Sequence, residues 1–129
     1  MIVVDSSALV AIALWEPERE VFAGAIFRAE ETWLSPTNYL ETGMVLKQRG
    51  FIATRASLDV WLAQLTVGVK EDLALHAAAM EAFLSYGMGR HRARLNLADC
   101  FAYALAKQLG LPLLYKGDDF GQTDIRSAL

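Results

Sequence analysis

The sequence has few of the features that mark secreted or membrane-bound proteins. Its one cysteine, Cys100, cannot form a disulfide within the chain, and a lone thiol on an apolar helix is typical of a small buried residue in a reducing compartment. No apolar run approaches the ~18 residues that a membrane span needs. No basic segment precedes the apolar N-terminal residues, as a signal peptide would require. These absences predict a cytoplasmic protein without a membrane partner.

Positive charge is also scarce. Lys and Arg total 12 and Asp and Glu total 15, which gives a formal net charge of -3. This balance excludes a strongly basic nucleic-acid coat but allows a local basic patch. Hydrophobic residues make up 54% of the 129 residues, so the chain can bury a core and intrinsic disorder is not expected. The length predicts a single domain over residues 1–129.

Short apolar runs alternate with helical patterns along the chain. Residues 2–4, Ile-Val-Val, are apolar without alternation, which is typical of a strand buried on both faces. Further strands are predicted at residues 32–34, 66–70 and 113–115, with a short edge strand at 123–125. Helices are predicted at residues 8–15, 17–29, 36–49, 55–65, 73–86 and 97–109, with a glycine-rich basic loop at 87–94. This order predicts a three-layer α/β/α sandwich around a short-stranded parallel sheet.

Acidic residues fall where an open parallel sheet binds ligands, beyond the carboxyl ends of its strands. Asp5 follows the first strand, and Asp118 and Asp119 lie in the turn after the fourth. Asp99 and Glu41 lie in the first two turns of predicted helices. Carboxylates gathered at one edge repel one another unless a cation joins them, and oxygen ligands suit Mg²⁺ or Mn²⁺. One or two such ions would support phosphodiester hydrolysis.

Each acid also has a simpler structural explanation. Asp5 is a good helix cap, and Asp99 follows Asn96 at the spacing of a capping box. Glu41 by itself is typical of a solvated helix face, and Asp118 and its neighbour are common turn residues. The metal site is therefore predicted from the convergence of these positions.

Four segments in this order resemble a known family. They are Ile2-Val-Val-Asp5-Ser-Ser-Ala8, Ser35-Pro-Thr-Asn-Tyr-Leu-Glu41, Leu95-Asn-Leu-Ala-Asp99-Cys-Phe-Ala-Tyr103 and Pro112-Leu-Leu-Tyr-Lys-Gly-Asp118-Asp-Phe120. Together they resemble the PIN-domain ribonucleases and, more closely, the VapC toxins of bacterial toxin–antitoxin pairs. The resemblance implies an α/β/α fold and a Mg²⁺- or Mn²⁺-dependent RNA endonuclease. It also implies a homodimer and inhibition by a VapB-like antitoxin, with DNA contacted only indirectly through that antitoxin.

The resemblance also assigns site residues. Asp5, Glu41 and Asp99 match the three acids of the metal site, and Ser6 matches a small hydroxylated residue that would hydrogen-bond a ligand or water. The fourth acid is assigned to Asp118. The alternative is Asp119, since the family often has Thr-x-Asp-x-x-Phe, with the acid three residues before the phenylalanine, where this chain has Gly117.

Basic residues near these acids are candidate contacts for RNA phosphates. Arg90, Arg92 and Arg94 precede the Asp99 helix, and Lys116 adjoins the acidic turn. A solvated loop explains the arginines equally well. Asn96 is a further candidate contact, although helix capping explains it sufficiently.

Two other functions remain alternatives. Another Mg²⁺-dependent α/β phosphohydrolase of the haloacid-dehalogenase type would have Asp-x-Asp after its first strand, whereas this chain has Asp5-Ser6-Ser7. A degenerate PIN-fold module that binds RNA or protein without catalysis is disfavoured because all the acids are present. The sequence thus predicts a Mg²⁺-dependent endoribonuclease toxin.

Overall fold

A computed structural model describes residues 1–129 and shows helices packed on both faces of a four-stranded sheet. The strands are β1 (Ile2–Val4), β2 (Thr32–Leu34), β3 (Val67–Val69) and β4 (Leu113–Leu114). The helices are α1 (Ser6–Ala13), α2 (Arg19–Arg28), α3 (Pro36–Gln48), α4 (Arg55–Gln64), α5 (His76–Tyr86) and α6 (Leu97–Leu109). The strand order is β3-β2-β1-β4, and every pairing is parallel.

The side chains of β1 divide the core between the two faces of the sheet. Ile2 and Val4 pack with apolar residues of α1 to α4, whereas Val3 packs with residues of α5 and α6. All three side chains are buried, which explains why the strand is apolar without alternation. The predicted three-layer α/β/α sandwich is confirmed.

Polar side chains cap four of the helices, with Thr54 as the cap of α4. The side chains of Asp5, Ser35 and Asn96 accept hydrogen bonds from backbone N–H groups in the first turns of α1, α3 and α6. Two of these caps directly follow β1 and β2, so α1 and α3 both start at the carboxyl edge of the sheet. This edge therefore collects helix N-termini, which favour nearby negative charge.

Several predicted helix boundaries were wrong by two or three residues. The first helix covers Ser6–Ala13 rather than 8–15. It begins directly after its cap, Asp5, and it ends early because Trp15 has a left-handed backbone, with φ of 58°. The second begins at Arg19 rather than residue 17, and the guanidinium of Arg19 donates to the carbonyl of Ile12 at 2.7 Å. The fifth begins at His76 rather than residue 73, after a turn that holds the Lys70–Asp72 ion pair.

The two edges of the sheet, at β3 and beside β4, each have one irregular feature. β3 includes Gly68 because the indole of Trp33 in β2 lies over it, and a Cβ there would be 3.0 Å from that ring. The strand predicted at residues 123–125 was wrong. Phe120–Gln122 forms a turn of 3₁₀ helix, and Ser127 bridges Leu113 of β4 in parallel.

Two further expectations concern single features. Cys100 is buried, as predicted, and burial raises the pKa of its thiol to about 11. A thiol with such a pKa remains protonated at neutral pH and does not act as a nucleophile. None of the helices combines the length and apolar character needed to cross a bilayer.

Candidate metal centre

One cavity at the carboxyl edge of the sheet brings together acids from three separate segments. It has a volume of about 340 Å³, and Asp5, Glu41 and Asp99 all line it. Ser6, Asn96 and Lys116 line the same cavity. The fold therefore places six of the predicted site residues together.

Asp5 is the most enclosed of these acids. It is 3% exposed, and its Oδ2 accepts a hydrogen bond from the backbone N–H of Ser7 at 3.0 Å as the N-cap of α1. Burial raises the pKa of Asp5 to about 6, and the charge of Glu41 raises it further, while the hydrogen bonds from Ser7 oppose the shift. Asp5 is both a helix cap and a cavity carboxylate.

Asp99 also has two roles. Its Oδ2 accepts from the backbone N–H of Asn96 at 3.0 Å, and its own N–H donates to Asn96 Oδ1 at 2.9 Å, which completes a capping box. Partial burial raises the pKa of Asp99 to about 7, and the charges of Asp5, Glu41 and Asp119 contribute to the increase. The capping explanation is correct, yet the same carboxylate lies in a field of negative charge.

Glu41 completes the set from the second turn of α3. It is half-buried and lines the cavity, and its charge raises the pKa of both Asp5 and Asp99. A glutamate on a solvated helix face would have little effect on the buried Asp5 and the half-buried Asp99. This influence favours a role at the site for Glu41.

The donor set fits a hydrated hard cation. All the acidic groups in the cavity offer oxygen, which Mg²⁺ and Mn²⁺ prefer. No three acidic, histidine or cysteine side chains are arranged as a ready-made ligand cluster. Mg²⁺ in proteins keeps several waters and needs only one or two carboxylates. A cation here would also relieve the repulsion that raises the two pKa values.

The turn after β4 contains the two candidates for the fourth acid. Asp118 and Asp119 are both exposed, and neither lines the cavity. The charge of Asp119 nevertheless contributes to the raised pKa of Asp99. Gly117, with φ of 98°, directs the chain through this turn.

Asn38 was not predicted from the sequence as a site residue. This residue of α3 is fully buried, and its amide nitrogen donates to Asp5 Oδ1 at 3.3 Å and to Ser6 Oγ at 3.1 Å. Its position three residues before Glu41, on the same helix face, was the available signal.

Ser6 faces this network instead of the solvent. It is 3% exposed, and its hydroxyl donates to the carbonyl of Asn38 at 3.2 Å. Its one proton is therefore already used, so Ser6 can only accept a further hydrogen bond. That Ser6 hydrogen-bonds a ligand or water stays a prediction, with its hydroxyl oxygen as the acceptor.

The basic candidates occupy two different environments. The Lys116 ammonium pairs with Glu16 at 2.7 Å and Glu18 at 3.3 Å beside the cavity. The three arginines of the 87–94 loop are exposed and lie outside the cavity lining; they are Arg90, Arg92 and Arg94. The loop is closed by a bridge between Gly87 and Leu95, directly before Asn96.

Comparisons with known proteins show the family of the chain. A family model of the PIN domain matches residues 2–126. VapC ribonuclease Mb0640 of Mycobacterium bovis is 45% identical over 127 residues, which is 95% of each chain. Ribonuclease VapC of Mycolicibacterium smegmatis is 45% identical over 124 residues, covering 95% of this chain and 96% of the relative.

A solved structure shares the fold. VapC20 of Mycobacterium tuberculosis, a sarcin–ricin loop cleaving toxin, superposes with a TM-score of 0.73 over 97% of this chain and 96% of its own. Its sequence is 20% identical, so this likeness supports the architecture alone.

Proposed function

Because the chain belongs to the PIN-domain family, we propose that it is a VapC-type endoribonuclease toxin that uses Mg²⁺ or Mn²⁺. The main support from the structure is one cavity lined by Asp5, Glu41 and Asp99. The raised pKa values of Asp5 and Asp99 indicate carboxylates that lack a positive partner, as expected of a cation site.

Each acid has a distinct role in the proposed reaction. A bound cation would lower the pKa of water and neutralise charge at the scissile phosphate. Asp5 and Asp99 hold the cation, directly or through water. Glu41 orients the attacking water and accepts its proton. Asp119 is proposed as the fourth acid in preference to Asp118, because its charge acts on Asp99.

The exposed arginines supply the proposed contacts to RNA phosphates. Arg90, Arg92 and Arg94 precede Asn96 and Asp99 along the chain, so a strand held by this loop would pass close to the cavity. Lys116 adds positive charge at the cavity wall, although Glu16 and Glu18 partly neutralise it.

Apolar surface beside the cavity supports the proposed protein partners, a VapB-like antitoxin and a second copy of the chain. Leu40 and Met44 on α3 are 60% and 54% exposed. Both line a groove that also contains Glu41. A partner seated there would lie next to the acids. DNA would be contacted only through the antitoxin, and we place the complex in the cytoplasm.

RNA cleavage with and without metal tests the proposed activity. The purified protein is incubated with structured RNAs in Mg²⁺, Mn²⁺ or EDTA. We expect metal-dependent cuts that are abolished by Asp5→Asn, which keeps an oxygen acceptor for the N-cap bond from Ser7. Glu41→Gln should do the same, while Glu81→Gln, an exposed glutamate on α5, is the matched control.

Three outcomes would contradict the proposal. Undiminished cleavage by Asp5→Asn protein would show that the cavity acids are not responsible. Binding of RNA without cutting, at every metal concentration, would favour the non-catalytic PIN-fold module. Hydrolysis of small phosphate esters but not of RNA would favour another phosphohydrolase.

A further inference from the structure

We propose that Asn38 is the positioning residue that fixes the Asp5 carboxylate and the α3 helix relative to one another, an inference that rests on the proposed RNA-cleaving site. Asn38 does not line the cavity. It acts through Asp5, because its amide nitrogen donates a hydrogen bond to Asp5 Oδ1.

The hydrogen bonds around Asn38 form a closed set. Its Oδ1 accepts from the Ser35 hydroxyl at 2.5 Å, and its backbone N–H donates to the same Ser35 Oγ at 3.0 Å. Its Nδ2 donates to Asp5 Oδ1 and Ser6 Oγ, and its carbonyl accepts from the Ser6 hydroxyl at 3.2 Å. Every proton of the side-chain amide and of the two hydroxyls is used once.

This set of donors and acceptors also determines the orientation of the Asn38 side-chain amide. In the reversed orientation the carbonyl oxygen of Asn38 would face Asp5 Oδ1 at 3.3 Å, with no proton between them. The amide nitrogen would then face Ser35, whose hydroxyl proton would lose its acceptor. The carboxylate of Asp5 therefore receives two donors from fixed directions: Asn38 at Oδ1 and the Ser7 backbone at Oδ2.

The spacing on α3 joins this support to a second acid. Asn38 and Glu41 are separated by one helical turn, with Asn38 turned inward and Glu41 at the cavity. The bonds from Asn38 to Asp5 and Ser6 attach α3 to the junction of β1 and α1. One side chain thus orients one cavity carboxylate and fixes the helix that carries another.

A matched pair of substitutions on α3 tests the role. Asn38→Ala removes the donor, and Thr42→Ala removes another fully buried polar side chain one turn later, whose hydroxyl has no hydrogen-bond partner. Mn²⁺ binding to the RNA-free proteins is followed by the electron paramagnetic resonance signal of free Mn²⁺. Single-turnover and steady-state RNA cleavage then give kcat and KM.

We expect Asn38→Ala to weaken Mn²⁺ binding by about 10–100-fold, the usual effect of losing an outer-shell partner of a metal ligand. We expect kcat to fall while KM for RNA stays unchanged, and Thr42→Ala to match the wild type in both measurements. Should Asn38→Ala fail to fold, Asn38→Ser provides the same comparison, since its short hydroxyl does not reach Asp5.

Wild-type Mn²⁺ affinity in the Asn38→Ala protein would overturn the inference. An equal loss of affinity in the Asn38→Ala and Thr42→Ala proteins would also overturn it, because that would indicate a structural effect only. These results leave the proposed function intact, because the wild type still binds metal and cuts RNA. A wild-type protein that does neither would overturn the proposed function, and this inference with it.

Discussion

The negative charge of Asp5, at the end of β1, contributes to the raised pKa of Asp99 in the first turn of α6. Each carboxylate also caps its own helix. The local hydrogen bonds therefore explain why each acid is tolerated, but they do not explain why the two acids face the same cavity. That arrangement raises the free energy of the metal-free protein and favours a cation.

The two raised pKa values predict how metal-free stability depends on pH. Asp5 and Asp99 have pKa values of about 6 and 7 in the folded chain, above the ordinary value of 3.8. The folded state therefore binds more protons than the unfolded state between about pH 4 and 7. Their contribution to the free energy of unfolding is full below pH 4 and is lost as the pH rises through 7.

Urea unfolding in EDTA between pH 4 and 8 measures this contribution. The difference in unfolding free energy between the wild type and the Asp5→Asn, Asp99→Asn double variant isolates the two groups. We expect the wild type to lose stability relative to the variant as the pH rises. Mg²⁺ should restore it at pH 8 in the wild type alone. A difference independent of pH would contradict the raised pKa values.

Substitutions at Asp99 separate capping from catalysis. Asp99→Asn keeps an oxygen acceptor for the backbone N–H of Asn96 while removing the charge, so we expect cleavage to be lost and thermal stability to be kept or increased. Asp99→Ala removes both, and the lost hydrogen bond should cost about 1 kcal/mol. Thermal unfolding with EDTA and cleavage assays check the two effects. Equal stability of the two variants would show that the hydrogen bond accepted by the Asp99 side chain contributes nothing to stability.

The sequence was sufficient to predict the acidic residues of the cavity, but not Asn38, which donates a hydrogen bond to one of them. Asp5 and Asp99 follow from rules that act over a few residues, namely a buried strand followed by a cap and a capping box before an apolar helix. The shared location follows from the parallel sheet. Asn38 was not predicted because a lone polar residue near the start of a helix is typical of a solvated face. Its burial depends on how α3 packs on α1.

Two other errors have different physical origins. The bridge between Ser127 and Leu113 depends on where the tail meets the open edge of β4, which no local pattern specifies. Trp15 ended α1 early through a left-handed backbone that its apolar neighbours did not indicate. An interaction between distant segments therefore decided the course of the tail, whereas the end of α1 depends on the backbone of one exposed residue.

The arginine loop should control RNA affinity without controlling chemistry. Arg90→Ala and Arg92→Ala should each raise KM, leave kcat unchanged and reduce the slope of log affinity against log salt by about 0.7 per lost contact. Binding titrations at several salt concentrations measure the slope. Arg28→Ala at the end of α2 removes the same charge from another exposed position and serves as the control. Equal effects of all three substitutions would indicate that only net charge matters.

The turn after β4 gives the sharpest comparison, because two adjacent aspartates differ in their influence on the site. Asp119 contributes to the raised pKa of Asp99, so Asp119→Asn should weaken Mn²⁺ binding and cleavage by about tenfold or more. Asp118→Asn changes the net charge equally from the neighbouring position and should have a smaller effect. Mn²⁺ titration and RNA cleavage on both variants measure the difference. A larger loss from Asp118→Asn would assign the fourth acid to Asp118 and show that the turn presents that carboxylate when the metal and RNA are bound.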